Sequence, residues 1–151
     1  MKKIWVLSLL SLATIWGCQK QLSVEEQLAL DIEIIEQYLA DNGLEAEKTA
    51  SGLHYIINNL GTGAFPSPND KVTVRYKGYF SDDKIFDQSS ELGISFNLQG
   101  VIQGWTEGIP KFREGGDGIL LIPSRLGYGP NGNSSIPKNS VLIFDVKLLE
   151  I

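Results

Sequence analysis

The polar residues of this sequence form none of the common acid-base or metal-binding patterns. His54 is the single histidine, and it lies in a predicted strand far in sequence from any serine or cysteine nucleophile motif. We expect it to be a structural residue. Neither metal-ligand spacing nor a phosphate-binding glycine loop occurs. Hydrolytic, metal-dependent and phosphoryl-transfer mechanisms therefore lack their residues, and no cofactor is predicted.

Aromatic and aliphatic residues beside turn-forming residues are the more informative feature. Composition alone assigns most of them to the core, because aromatic residues of a small sheet domain are mainly packing residues. Their order and spacing add a second interpretation. The set comprises Tyr76, Phe86, Phe96, Val101, Ile102, Trp105, Tyr128, Ile136 and Phe144, with Asp87 next to Phe86.

Five sequence blocks contain most of these residues and occur in a fixed order. They are VRYKG at 74–78, FDQS at 86–89, GVIQGW at 100–105, GYG at 127–129 and LIFDVKL at 142–148. Together, over about residues 53–151, they resemble the FKBP-type peptidyl-prolyl cis/trans isomerases. The resemblance implies an α+β fold in which a strongly curved antiparallel sheet wraps around one short helix, with a pocket between helix and sheet.

The resemblance also implies a role for each residue of the pocket. Trp105 would form the floor, Tyr128 would offer its hydroxyl to a substrate carbonyl, and the backbone amide of Ile102 would hold the neighbouring carbonyl. Asp87 would lie at the rim beside the twisted amide. The implied catalytic group is Tyr76, Asp87, Trp105 and Tyr128, and the implied substrate-binding group is Phe86, Phe96, Val101, Ile102, Ile136 and Phe144.

Three of these places have an alternative interpretation or depart from the family pattern. Without the resemblance, Asp87 reads as a solvated turn carboxylate, because Asp82 and Asp83 lie near it around one predicted turn. The loop at 130–136 lacks a histidine seen in some members, and only Ile136 aligns there. Ile94 stands at a position often held by an aromatic residue.

An apolar pocket can catalyse this reaction without an acid, a base or a nucleophile. Rotation about an amide bond has a barrier of about 18–20 kcal/mol, because the planar amide is stabilised by resonance. The twisted transition state loses that resonance and is less charge-separated, so a dry pocket disfavours the planar ground state more. The absence of acid-base residues therefore agrees with isomerase activity.

Two other functions would use the same pocket. A non-catalytic chaperone would hold proline-containing segments in it, and a lipid-anchored small-molecule binder would use only its apolar character. The isomerase interpretation predicts unfolded or partly folded proline-containing exported proteins as substrates, and the family resemblance leaves macrolide inhibitors as further ligands. Nucleic acid is excluded as a partner, because the net charge is −5 and Lys and Arg are not clustered.

The N-terminal segment has the order of a secretory signal. Lys2 and Lys3 precede an apolar run that is too short to span a bilayer comfortably, and Gly17-Cys18 follows. Residues 15–18 resemble the lipobox of bacterial lipoproteins, in which the cysteine is lipid-modified; a buried structural cysteine is the alternative. This predicts a signal peptide at 1–17, an anchored helix and linker at 18–50 and an isomerase domain at 51–151, held in the periplasm at the outer membrane.

An amphipathic helix is predicted over about residues 24–41. Ser23 and Glu26 form a capping box, and Asn42-Gly43 supplies a stop. The apolar stripe comprises Leu28, Ile32, Ile35 and Leu39. It could be covered by the following domain, by a second copy of the chain in a dimer through residues 24–41, or by another partner.

The elements that must position the pocket residues are mostly strands. Alternating or continuous apolar runs predict strands at 53–57, 71–76, 118–123 and 141–151, with turn residues between the first two. Residues 102–111 predict the one short helix, kept short by Gly104, Gly108 and Pro110. Residues 44–50 contain no strong pattern and are predicted to be a linker.

Overall fold

Strands supply most of the domain, as the sequence predicts. In the computed structural model, which describes residues 22–151, seven strands form one antiparallel sheet in the order β1-β2-β6-β7-β3-β4, and β5 also pairs with β3. Their bounds are β1 Glu47–Lys48, β2 His54–Asn59, β3 Lys71–Tyr79, β4 Ile85–Gln88, β5 Ile94–Asn97, β6 Asp117–Ile122 and β7 Leu142–Glu150. The predicted signal peptide and Cys18 lie outside the described residues.

The two faces of the sheet bury different sets of side chains. Successive residues of a strand point to opposite faces, so Leu120 and Ile122 of β6 join the larger core while Leu121 between them joins a smaller one. Phe144 and Ile143 of β7 divide in the same way. Helices cover both faces: α1, Val24–Asp41, lies on the smaller core, and α2, Gln103–Gly108, lies on the larger one.

Helix α2 approaches the sheet closely because it carries glycine on the face toward β6. A Cβ atom at Gly104 would lie 2.5 Å from Ile122 Cγ2, and one at Gly108 would lie 2.8 Å from Leu120 Cδ1. Residues four apart share one face of a helix. The α-helical part ends at Gly108, and a 3₁₀ turn continues over Ile109–Lys111. The glycines predicted only to shorten the helix therefore also set its distance from the sheet.

Helix α1 has the predicted bounds and packs on its own domain. The Ser23 hydroxyl accepts from the Glu26 amide, and the Glu26 carboxylate accepts from the Ser23 amide, which is the predicted capping box. Ile35 and Leu39 are buried against the outer face of the sheet. Of the three predicted covers for the apolar stripe, the chain's own domain covers Ile35 and Leu39, whereas Leu28 and Ile32 are half-buried beside Gly52. No helix within residues 22–151 is long and apolar enough to cross a membrane.

Three short strands were not predicted from the sequence. Strand β4 contains Phe86 and strand β5 contains Phe96, and each is only four residues long, too short for a distinct strand pattern in the sequence. Residues 44–50, predicted to be a linker, contain β1, which pairs with β2, and Leu44 packs on the smaller core. These strands owe their conformation to pairing with β2 and β3 rather than to local propensity.

We predict that Gly104→Ala destabilises the fold although alanine favours helix. The added methyl group overlaps Ile122, which is fully buried, and overpacking of this kind costs about 1–3 kcal/mol. Gly100→Ala is the matched control, because a Cβ atom there meets nothing within 4 Å. Urea denaturation measures both free energies of unfolding, and equal stability of the two variants would contradict the close-packing account.

Candidate active site

A cavity of about 580 Å³ lies between α2 and the sheet. Its lining contains all ten residues that the sequence assigned to the pocket. It also contains three residues that were not assigned. The lining comprises Tyr76, Phe86, Asp87, Phe96, Gly100, Val101, Ile102, Trp105, Tyr128, Asn133, Ser135, Ile136 and Phe144.

Trp105 is packed edge to face by three aromatic rings. The ring centroids of Tyr76, Phe96 and Phe144 lie 5.0, 5.3 and 5.4 Å from that of the indole, at interplanar angles of 87°, 82° and 79°. Each such pair stabilises the packing by about 0.5–1.5 kcal/mol beyond area burial. The indole N–H is buried and has no acceptor within residues 22–151. The indole is therefore held rigidly by the residues around it.

Phe86 and Phe144 stand perpendicular to each other on neighbouring parts of the sheet, at a centroid distance of 5.5 Å and an angle of 88°. Gly78 of β3 makes room for both. A Cβ atom there would lie 2.7 Å from the Phe86 ring and 2.8 Å from the Phe144 ring. Phe80, which sequence analysis did not assign, packs behind Phe86 at 4.9 Å.

Asp87 belongs to β4 rather than to a turn, and its carboxylate has a specific partner. The Tyr76 hydroxyl donates to Asp87 Oδ2 at 2.7 Å. Burial of the Tyr76 phenol, and then its hydrogen bond to Asp87, raise the pKa of Tyr76 above its ordinary value. Tyr76 therefore remains a hydrogen-bond donor well above neutral pH and fixes the carboxylate at the exposed edge of the cavity.

The loop after the 3₁₀ turn at Ser124–Leu126 presents Tyr128 and Ile136 to the cavity. Tyr128 is 40% exposed, and its hydroxyl has no hydrogen-bond partner within residues 22–151. Asn133 Oδ1 accepts from the amides of Ser135 and Ile136, each at 2.8 Å. This turn buries Ile136 and also brings Asn133 and Ser135 to the cavity. An Asx turn predictable from Asn-x-Ser is the signal that could have identified them.

Of the other residues discussed from the sequence, Ile102 lines the cavity, whereas Ile94 and His54 lie outside it. Ile102 is the N-cap of α2, so its N–H lies outside the helix's own hydrogen bonds. Ile94 is 43% exposed on β5 and does not line the cavity. His54 is buried in β2 with Nδ1 3.0 Å from the Gly52 carbonyl oxygen, and burial lowers the pKa of its imidazole. It is a packing residue outside the cavity, in agreement with the sequence analysis.

Comparison with known proteins gives the same assignment. The sequence profile described as FKBP-type peptidyl-prolyl cis-trans isomerase matches residues 62–149. The chain belongs to this family. It is 43% identical over 121 residues to FkpA of Escherichia coli K12 and 47% identical over 107 residues to FkpA of Buchnera aphidicola. Those matches cover 79% and 69% of this chain but 44% and 42% of the relatives, so the chain spans less than half of their length.

Solved structures show the same FKBP-type fold. The crystal structure of FkpA from Escherichia coli superposes with a TM-score of 0.72 at 39% identity, covering 83% of this chain and 61% of that one. A peptidyl-prolyl cis-trans isomerase from Pseudomonas syringae also gives 0.72 at 32% identity, covering 85% and 96%. The predicted curved antiparallel sheet around one short helix is confirmed.

We predict that Tyr76→Phe flattens the alkaline dependence of stability. Because the pKa of Tyr76 is raised in the folded state, the unfolded chain loses this proton first, near pH 10. The free energy of unfolding then falls as pH rises, by up to about 1.4 kcal/mol per pH unit from this group. Urea denaturation between pH 8 and 11 should show a shallower slope in Tyr76→Phe, whereas identical slopes would contradict a raised Tyr76 pKa.

Proposed function

We propose that this FKBP-type domain catalyses cis/trans isomerisation of Xaa-Pro peptide bonds in the cavity above Trp105. The observation that carries the proposal is the rigid aromatic floor, with Trp105 held edge-on by Tyr76, Phe96 and Phe144. A proline ring is compact and apolar, and it fits a cavity walled by such rings. Membership of the family supports the same reaction.

Removal of water is the main contribution of this floor and its walls. The planar amide carries partial charges that water stabilises, whereas the twisted amide carries less charge separation. Transfer of the Xaa-Pro bond into the aromatic cavity therefore raises the free energy of the planar forms relative to the transition state. A preference of about 3 kcal/mol accelerates rotation roughly a hundredfold, since each 1.36 kcal/mol is tenfold.

Polar groups at the edge of the cavity would hold the flanking peptide. The free hydroxyl of Tyr128 would donate to one substrate carbonyl, and the Ile102 N–H at the start of α2 would donate to its neighbour. Asp87, fixed by Tyr76, would face the amide whose bond rotates. We assign catalysis to Tyr76, Asp87, Trp105 and Tyr128, and substrate contact to the six other predicted wall residues.

The proposed setting of the domain is the cell envelope. Residues 1–17 would be a signal peptide, Cys18 a lipid anchor, and residues 18–50 the anchored helix and connection to the isomerase domain at 51–151. Substrates would be proline-containing exported proteins that fold in the periplasm beside the outer membrane. The order of charged, apolar and small residues before Cys18 supports this setting. Macrolide binding and a dimer through residues 24–41 stay predictions.

A protease-coupled assay on a Xaa-Pro peptide tests the catalytic proposal. We expect Trp105→Leu to lower kcat/KM at least tenfold, and Tyr128→Phe to lower it about threefold to tenfold through loss of one hydrogen bond. Matched controls outside the cavity are Phe112→Leu, a buried ring, and Tyr55→Phe, whose hydroxyl donates to Glu47. Both should retain wild-type kcat/KM. Suppression of aggregation without rate enhancement by the wild type would indicate the chaperone instead.

Substitution of Cys18 tests the anchor separately. In a bacterial host the wild-type chain should incorporate labelled fatty acid and sediment with membranes, because two or more acyl chains hold a protein stably on a bilayer. Cys18→Ala should lose the label and remain in the supernatant after cell lysis. An unlabelled wild-type chain would exclude the lipoprotein assignment while leaving the isomerase proposal intact.

A further inference from the structure

Helix α1 carries a buried carboxylate that its amphipathic pattern does not predict. Asp31 is 0% exposed. Its Oδ2 accepts from the Ser124 amide at 2.8 Å and from the Ser124 hydroxyl at 2.6 Å, and its Oδ1 accepts from Gln27 Nε2 at 2.8 Å. A carboxylate is costly to bury unless hydrogen bonds replace its hydration, and charge-assisted bonds of this kind are strong. Asp31 therefore ties α1 firmly to one residue of the body of the domain.

Ser124 connects this carboxylate to the loop that bears Tyr128. Its carbonyl oxygen accepts from the amides of Gly127 and Gly129, each at 2.9 Å. These two glycines flank Tyr128 in sequence. The amide and hydroxyl of Ser124 thus bind Asp31 on one side, while its carbonyl binds both neighbours of Tyr128 on the other. One residue is shared by the N-terminal helix and the edge of the cavity.

The position of Tyr128 depends on its backbone more than on side-chain packing. The residue is 40% exposed, whereas the other aromatic residues of the cavity are buried or half-buried. The bonds from Gly132 N–H to Tyr128 and from Asn139 N–H to Gly129 lie within residues 128–139 and shape the loop internally. The Ser124 carbonyl links residues 127–129 directly to the residue that Asp31 binds, while the buried Ile136 anchors the other end of the loop to the larger core.

We propose that Asp31 is a positioning residue for Tyr128. By orienting Ser124, it holds the backbone from which the Tyr128 hydroxyl reaches substrate, so α1 is part of what aligns the active site. This inference rests on the proposed isomerase function. Asp31 also lies outside the segment at 62–149 that matches the family profile, so the profile does not contain it.

Attachment of α1 alone does not require this arrangement. Ile35 and Leu39 already bury an apolar face against the sheet. A buried charge is a poor means of adding stability, since apolar residues of the same volume often serve as well or better. Unlike an apolar residue, Asp31 fixes the orientation of Ser124. Its two hydrogen bonds, to the backbone amide and to the side-chain hydroxyl of Ser124, leave that residue little freedom to rotate. Small displacements of a substrate-positioning group can cost large factors in rate.

The decisive comparison is Asp31→Ala against Asp31→Asn and Leu39→Ala in the full chain. We expect Asp31→Ala to lower kcat/KM for a Xaa-Pro peptide about fivefold and to speed amide exchange at Gly127 and Gly129. Asp31→Asn should restore most activity, because its carbonyl oxygen can accept both Ser124 donors. Leu39→Ala, on the same helix but without a hydrogen bond to Ser124, should lose stability and keep kcat/KM within about twofold.

A double-mutant cycle separates positioning from a general structural role. In a Tyr128→Phe background, Asp31→Ala should cause no further loss of kcat/KM, because the hydroxyl that it positions is already gone. Losses that multiply in the double variant would overturn the proposal, as would full activity of folded Asp31→Ala. If Asp31→Ala does not fold, Ser124→Ala takes its place in the cycle with the same expected and contradicting results.

Failure of the proposed function gives a different result from failure of this inference. A wild-type chain without isomerase activity would overturn the function, and amide exchange at Gly127 and Gly129 would still report the link. Unchanged exchange in Asp31→Ala, with Leu39→Ala as control, would overturn the link from Asp31 to the Tyr128 loop. An active wild type with an equally active Asp31→Ala overturns only the positioning role.

Discussion

The close packing of α2 against β6 is the constraint on which the cavity depends. Gly104 and Gly108 let the helix lie directly on Ile122 and Leu120, and a side chain at either glycine would push it away. Trp105 follows Gly104 in sequence, so the same contact sets the depth of the indole. The rings of Tyr76 and Phe144, which come from β3 and β7, meet the indole edge-on only at that depth.

The two faces of the sheet have different roles. Its inner face builds the apolar cavity, where water is excluded and the aromatic rings are fixed by one another. Its outer face buries Ile35 and Leu39 of α1. Helix α1 and the edge of the cavity are connected through Ser124. Its amide and hydroxyl bind Asp31 on α1, and its carbonyl binds the glycines on either side of Tyr128. Packing therefore holds the aromatic floor of the cavity, whereas backbone hydrogen bonds hold the residues on either side of Tyr128.

Sequence patterns were sufficient to predict the helices and strands that are specified by their own residues. The capping box at Ser23 and the stop at Asn42 predicted a helix over about residues 24–41, and α1 spans Val24–Asp41. Strands β3, β6 and β7 contain the apolar residues that the predicted strands required. The short strands β1, β4 and β5 were not predicted. Few residues contribute to each, and partner strands distant in sequence stabilise them.

The sequence by itself determined the identity of ten of the thirteen cavity residues, because the ordered blocks around Trp105 and Tyr128 belong to one family pattern and their types suit a dry aromatic site. Only the tertiary structure decided how they act on one another. The bond from Tyr76 to Asp87 joins β3 to β4, and the bonds of Asp31 to Ser124 span 93 positions of chain. Hydrogen bonds between residues so far apart depend on distance and direction in space, which no spacing along the chain encodes.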